Sequence, residues 1–207
     1  MRTAITENLL NISPSDFINQ RSVSLDRRGV INPPKSLKTE RLRLRKAKLS
    51  DAEAIFRQYA QDAEVTKYVS WSAHKDIEET REYVRMCLLA WDVGKAFHWV
   101  IERNEDKQAI GMIIARVAGE KWELGYVLAR VYWGRGYMTE ALKALIAWAL
   151  KQNDIYRIWA VCDVDNIASA RVMEKAGMLR EGTLRRWSVH PNISPEPRDS
   201  YCYSIVK

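Results

Sequence analysis

The chain has 207 residues, 47% hydrophobic and 29% charged, with a net charge of +7. That composition fits one ordinary globular domain and excludes a disordered or fibrous chain. No stretch approaches the ~18 consecutive apolar residues of a membrane span. The opening residues lack the basic start and apolar run of a secretory signal. Cys87, Cys162 and Cys202 show neither metal-ligand spacing nor an even disulfide framework, so a reduced, cytoplasmic protein without a metal site is expected.

Residues 1–37 contain Pro14, Pro33 and Pro34 and little periodicity, and read as a partly ordered N-terminal extension in which Leu9, Leu10 and Phe17 could dock. A single domain is expected over residues 38–207. Arg41-Leu-Arg-Leu-Arg45 alternates with period two, which predicts a strand with Leu42 and Leu44 inward and its arginines on the solvated face. Ser50 and Glu53 have capping-box spacing at a helix start, followed by Ala54, Ile55 and Tyr59 as a buried stripe. A second helix is predicted from about Asp76 to Trp91, with Ile77, Tyr83, Val84, Leu88 and Trp91 inward.

Phe97 to Glu102 and Ala109 to Val117 read as strands joined by the turn Asn104-Glu-Asp-Lys107, and Trp122 to Leu128 as the next strand. Glu140 to Lys151 is amphipathic through Ala141, Leu142, Leu145, Ile146, Ala149 and Leu150. Ile155 to Cys162 predicts a strand and Ala168 to Ala176 a helix that Gly177 terminates. Leu179 to Val189 and Asp199 to Val206 predict two closing strands around a Pro-rich loop at 190–197. The eight tryptophans suit either core packing or an acceptor cleft.

One segment is chemically specific. After the apolar strand ending at Leu128, Gly134 and Gly136 form a G-x-G turn just before Thr139-Glu-Ala-Leu142. Glycine tolerates positive φ and lets another group approach the backbone closely. Such a turn at a helix N-terminus offers unpaired N–H groups and a favourable dipole to a pyrophosphate. A ligand-free tight turn is the alternative. A P-loop is excluded because G-x-x-x-x-G-K-[ST] is absent, and Thr139 stands where a Rossmann fingerprint needs its third glycine. The basic balance suits a phosphate-rich cofactor as well as nucleic acid. No Lys/Arg patch with interleaved aromatics stands out, so nucleic acid is not the expected partner.

A second string, Asn166-Ile-Ala-Ser-Ala-Arg-Val-Met-Glu-Lys-Ala-Gly-Met178, begins 30 residues after Gly136. Together with Trp133-Gly-Arg-Gly-Tyr-Met-Thr-Glu-Ala141 it resembles the GNAT superfamily of acetyl-CoA-dependent N-acetyltransferases, and within it the RimJ/RimL-like branch. The resemblance runs from about Thr39 to the C-terminus. It implies an α/β (α+β) GNAT fold, in which a central mixed, mostly antiparallel twisted sheet of about seven strands carries flanking helices. It implies acetyl-CoA as cosubstrate and a primary amine as acceptor, either a protein N-terminus or a small molecule such as an antibiotic or polyamine. A non-catalytic CoA-binding scaffold is the alternative from another class. A monomer or homodimer away from membranes is expected.

By the same resemblance the pyrophosphate meets the backbone of Gly134, Arg135, Gly136, Tyr137 and Met138, with Trp133 and Thr139 beside it. Tyr126, Val127 and Leu128 border the pantetheine arm, and the amide of Val127 or Leu128 serves as oxyanion donor. Trp133 and Met138 depart from the generic [QR]-x-x-G-x-[GA] signature. Asn166 is a pantetheine contact or a helix N-cap. Glu123 is the candidate base, or else a surface strand carboxylate or one contributor to a water chain. Met173 stands at the position where many members place a proton-donating tyrosine, and Ser169, the nearest hydroxyl in the motif, is the candidate to bond the sulfur or the pantetheine, or else caps or bonds the backbone near the helix start. Direct attack needs no covalent nucleophile, and Cys162 reads as a buried small hydrophobe. His98 reads as a packed residue and His190 as an acceptor-side candidate.

Overall fold

The computed structural model describes residues 32–207, and the docking residues Leu9, Leu10 and Phe17 lie outside them. The strands are β1 (Ser36–Lys38), β2 (Leu42–Lys46), β3 (Ala96–Arg103), β4 (Ala109–Ala118), β5 (Lys121–Leu128), β6 (Arg157–Asp163), β7 (Leu179–His190) and β8 (Ser194–Val206). The helices are α1 (Ala52–Ile55), α2 (Ala63–Thr66), α3 (Ile77–Asp92), α4 (Tyr137–Ala149) and α5 (Ile167–Lys175). A 3-10 turn at Leu49–Asp51 precedes α1 and a π-helical turn at Phe56–Ala60 follows it.

All the strands form one sheet in the order β1-β2-β3-β4-β5-β6-β8-β7. Every pairing is antiparallel except β5 with β6, whose chain crosses over through α4. The mixed, mostly antiparallel sheet is as expected, with eight strands in place of about seven. The addition is β1, which pairs with β2 from inside the stretch read as an extension. Pro34 is tied in as well, since its carbonyl accepts from Trp99 Nε1 at 2.9 Å.

Alternation places Phe97, Trp99, Ala115, Trp122, Leu124 and Tyr126 on one face of the sheet, and His98, Met112, Arg116, Glu123, Gly125 and Val127 on the other. α4 covers the first face, with Trp148 against Trp122 at 5.8 Å between ring centroids. α3 covers the second, with Tyr83 edge-on to His98 and its hydroxyl 3.4 Å from Met112 Sδ. Trp91, Phe97, Trp99 and Trp122 pack in contact in the core, so these tryptophans are structural.

Several local expectations change. Ser50 is exposed within the 3-10 turn, and Asp51, not Glu53, closes it by accepting the Lys48 N–H at 2.7 Å. Arg45 is buried rather than solvated, held by Asp51 and Glu102. β8 begins at Ser194 despite Pro195 and Pro197. Its first half pairs with β7 alone and β6 joins only from Ser200 onward, so a missing proline N–H breaks no second ladder. α4 starts three residues earlier than its apolar periodicity, because Gly136 at φ 78° caps it in the left-handed conformation.

Candidate active site

The sheet opens between β5 and β6. The two strands pair over only three positions, Lys121, Trp122 and Glu123 with Arg157, Ile158 and Trp159. Beyond them both strands continue without each other, to Leu128 and to Asp163. The amide of Ala129 bonds to Ile110 across β4 at 2.8 Å. Strict alternation from that bond sends Val127 N–H to β4 and turns Tyr126 and Leu128 N–H into the gap. Of the two candidate oxyanion donors, Leu128 therefore faces the opening and Val127 does not. Leu128's carbonyl is capped by Trp133 Nε1 at 2.7 Å.

The G-x-G turn lies just beyond. Gly134 and Gly136 have φ of 73° and 78°, and a Cβ on Gly134 would meet open space. Trp133, Gly134, Arg135 and Gly136 are exposed. The first intrahelical bond of α4 runs from Glu140 N–H to Gly136 O, which leaves the amides of Tyr137, Met138 and Thr139 directed out of the helix end. Met138's side chain is buried in the core, so only its backbone serves this surface.

Arg41 braces the turn, a role its place on an alternating strand did not show. It donates to Glu140 from its backbone N at 2.9 Å and from Nε at 2.6 Å, and to Arg135 O at 3.0 Å. Thr39 adds a hydroxyl bond to Glu140 at 2.6 Å. Against the cost of burial, these bonds hold the Glu140 carboxyl below its ordinary range. The Arg41 guanidinium also stacks on the Tyr137 ring at 4.5 Å.

The gap has two chemically different sides. On the α5 side Tyr126 Oη lies 2.7 Å from Ser169 Oγ and 3.1 Å from Ser169 O. Asn166 caps α5 by accepting Ser169 N–H at 3.1 Å, which leaves its NH₂ for another acceptor. Cys162 stands beside Ser169, and burial pushes its thiol up to about 11. It is therefore a protonated thiol at neutral pH and unsuited to nucleophilic attack.

On the opposite side Glu123 pairs with Arg116, directly across the ladder, at 3.3 Å. His98 is buried, and desolvation together with Arg116 lowers its imidazole to about 3, so it stays neutral. Trp71, His74 and Tyr83 continue this side as a row of rings 5.0 to 6.3 Å apart. Asn192, from the β7–β8 turn, roofs it by bonding Thr66 O, Trp71 O and Ala73 N. His190 is not on an open loop. It is buried, with Nδ1 3.3 Å from Val69 O and Nε2 3.6 Å from Asp163. Although burial alone raises it, Arg198 and the Asp165 N–H hold the Asp163 carboxyl below its usual value.

A family model described as the acetyltransferase (GNAT) domain matches residues 41–179. The chain belongs to the GNAT acetyltransferase family. It is 32% identical over 174 residues to the uncharacterized N-acetyltransferase YoaA of Bacillus subtilis (strain 168), covering 83% of this chain and 96% of that protein. It is 30% identical over 112 residues to a ribosomal-protein-serine acetyltransferase of Escherichia coli (strain K12), 53% of this chain and 62% of that protein. The crystal structure of a GNAT-family acetyltransferase from Bacillus anthracis superposes with a TM-score of 0.73 at 32% identity, covering 83% of this chain and 98% of that one. The protein is thus an acyltransferase of GNAT type with relatives of RimL-like kind, as the paired motifs implied. No group of metal-ligating side chains occurs among the described residues of this GNAT domain. No helix among them is long and apolar enough to cross a membrane.

Proposed function

We propose that this GNAT domain moves an acetyl group from acetyl-CoA to the N-terminal amine of a protein by direct attack in a ternary complex. The observation that carries the reading is the open β5–β6 gap, with the Leu128 amide turned into it and the exposed glycine turn just beyond. The turn amides from Gly134 to Thr139 hold the pyrophosphate, and the pantetheine arm runs along the unpaired edge of β5. Leu128 N–H receives the carbonyl oxygen as it gains charge, which is the largest catalytic contribution a fixed dipole makes. The amine approaches from the Glu123 side and the sulfur leaves toward Ser169. Glu123 stands at the closed end of the gap, five strand steps of ~3.3 Å from Leu128. It therefore takes the amine proton through water rather than by contact.

The acceptor class follows from likeness to the ribosomal-protein-serine acetyltransferase, with a small-molecule amine as the alternative. Calorimetry with acetyl-CoA and mass spectrometry of an acceptor panel test both. The panel contains ribosomal-protein N-terminal peptides, polyamines and aminoglycosides. Cofactor binding with an acetylated peptide N-terminus is expected. Acetylation confined to the small amines overturns the acceptor, and failure to bind acetyl-CoA at millimolar concentration overturns the whole reading.

A further inference from the structure

In α5 the position expected to carry a proton-donating tyrosine is Met173, whose side chain is fully buried and has no proton to give. A tyrosine hydroxyl reaches the same gap from the opposite wall. Tyr126 on β5 projects toward α5 just past the last β5–β6 pair, and its Oη lies within hydrogen-bond distance of both oxygens of Ser169. We propose that Tyr126 turns Ser169 into the proton donor for the departing CoA sulfur, a positioning role that rests on the acetyl-CoA reading above.

The geometry allows two arrangements, because a phenol has one proton. In one, Tyr126 donates to the Ser169 carbonyl at 3.1 Å and accepts the serine hydroxyl at 2.7 Å, so the serine proton is occupied. In the other, Tyr126 donates to Ser169 Oγ and the serine O–H is turned out into the gap. Only the second presents a donor to sulfur. Burial holds the Tyr126 phenol above its ordinary value, so it keeps its proton across the working range. The neighbouring Cys162 thiol is likewise protonated and brings no competing anion.

The proton count closes. As the tetrahedral intermediate collapses the C–S bond breaks and its electron pair stays on sulfur. The Ser169 proton passes to that sulfur, the Tyr126 proton to Ser169 Oγ, and a solvent proton to Tyr126. The amine nitrogen has released one proton through water to Glu123 and from there to solvent, so the products are an amide and a thiol.

Tyr126→Phe keeps the ring and removes only the hydroxyl. The assay uses hydroxylamine as acceptor, which is small enough to need no acceptor contacts. The donors are acetyl-CoA and two short acetyl thioesters, one of N-acetylcysteamine and one of an aromatic thiol. The variant is expected to lose about 100-fold in kcat with acetyl-CoA, within the usual range for proton transfer, with KM within about threefold. With the short donors, the loss in kcat/KM should persist for the alkyl thioester and nearly vanish for the aromatic one, because an aromatic thiolate leaves without a proton. Ser169→Ala should behave the same way, and the double variant should lose no more than either single one. An equal loss with both short donors, as a packing defect would give, overturns the proposal, and so does unchanged kcat with acetyl-CoA. Calorimetric CoA binding separates the two readings. A wild-type protein that does not bind CoA overturns the acetyl-CoA reading and this role with it. Binding retained in both proteins with unchanged turnover overturns the role of Tyr126 alone.

Discussion

Replacing Gly136 by alanine separates backbone strain from ligand contact at the glycine turn. Gly136 has φ 78°, and a Cβ there would meet only Arg41 Nη2 at 3.5 Å, an ordinary contact. The fold therefore pays only the left-handed penalty of about 1–2 kcal/mol. At about 2–4 °C per kcal/mol for a chain of this size, Tm should fall by about 2–8 °C. Gly119 in the β4–β5 turn is the matched control, with φ 60° and nothing within 4 Å of its Cβ. Gly119→Ala should lower Tm by a similar amount. The two variants should part in cofactor affinity. A methyl group at Gly136 holds the phosphate away from the turn amides. Loss of two hydrogen bonds to a charged group, at about 1.5 kcal/mol each, is about 3 kcal/mol or roughly 100-fold in Kd. Calorimetry with acetyl-CoA beside thermal melts measures both quantities. If Gly136→Ala binds as tightly as Gly119→Ala, the pyrophosphate does not sit on this turn and the cradle assignment is wrong.

Arg45→Ala strands the buried Asp51 and Glu102 carboxylates, which sit 2.7 and 2.6 Å from the guanidinium; urea unfolding should show a loss of about 3–5 kcal/mol, and a loss below about 1 would deny the network its role. The Arg157 and Ser204 hydrogen bonds hold the Glu181 carboxyl down to about 2. A depressed folded value stabilises above the unfolded value of ~4.3 and is lost as pH falls toward 2, so Glu181→Gln should lower Tm near neutrality, flatten the Tm profile over that interval and converge with wild type at its acid end. Glu123→Gln should lower kcat by about 100-fold, remove the acid limb of the pH–rate profile and spare acetyl-CoA affinity; a variant within about threefold of wild type across pH excludes Glu123 as an essential base.

The sheet was legible where period-two alternation reports a strand's own two faces. Leu42 and Leu44 read inward from the alternating pentapeptide Arg41 to Arg45, and they are fully buried. Partner choice is not written that way. That β5 pairs with β6 for three residues and then stops depends on which strands approach across the α4 crossover. β1 was missed because three residues are too few to show a period. The fate of Arg45 was missed because a strand's alternation shows only where a side chain points. Whether carboxylates from Asp51 and Glu102 await it there is a tertiary fact.

The site divides along the same line. The glycine turn was visible because its chemistry is backbone chemistry, and a G-x-G ahead of a helix N-terminus states it locally. The side-chain chemistry is assembled across long separations. Glu140 finds Arg41 at 99 residues and Tyr126 finds Ser169 at 43. Motif position fixes a residue's place on its own element, and the opposite wall decides what it does there. Met173, at the position expected for a tyrosine, faces the core, while the hydroxyl that reaches Ser169 arrives from β5. The gap makes such a substitution physically easy. Two strands that have parted leave inward positions on both walls, and a phenol from either side can reach the same serine. Under the proposed function, a proton donor on either wall leaves the turn at Gly134 and Gly136 where it is.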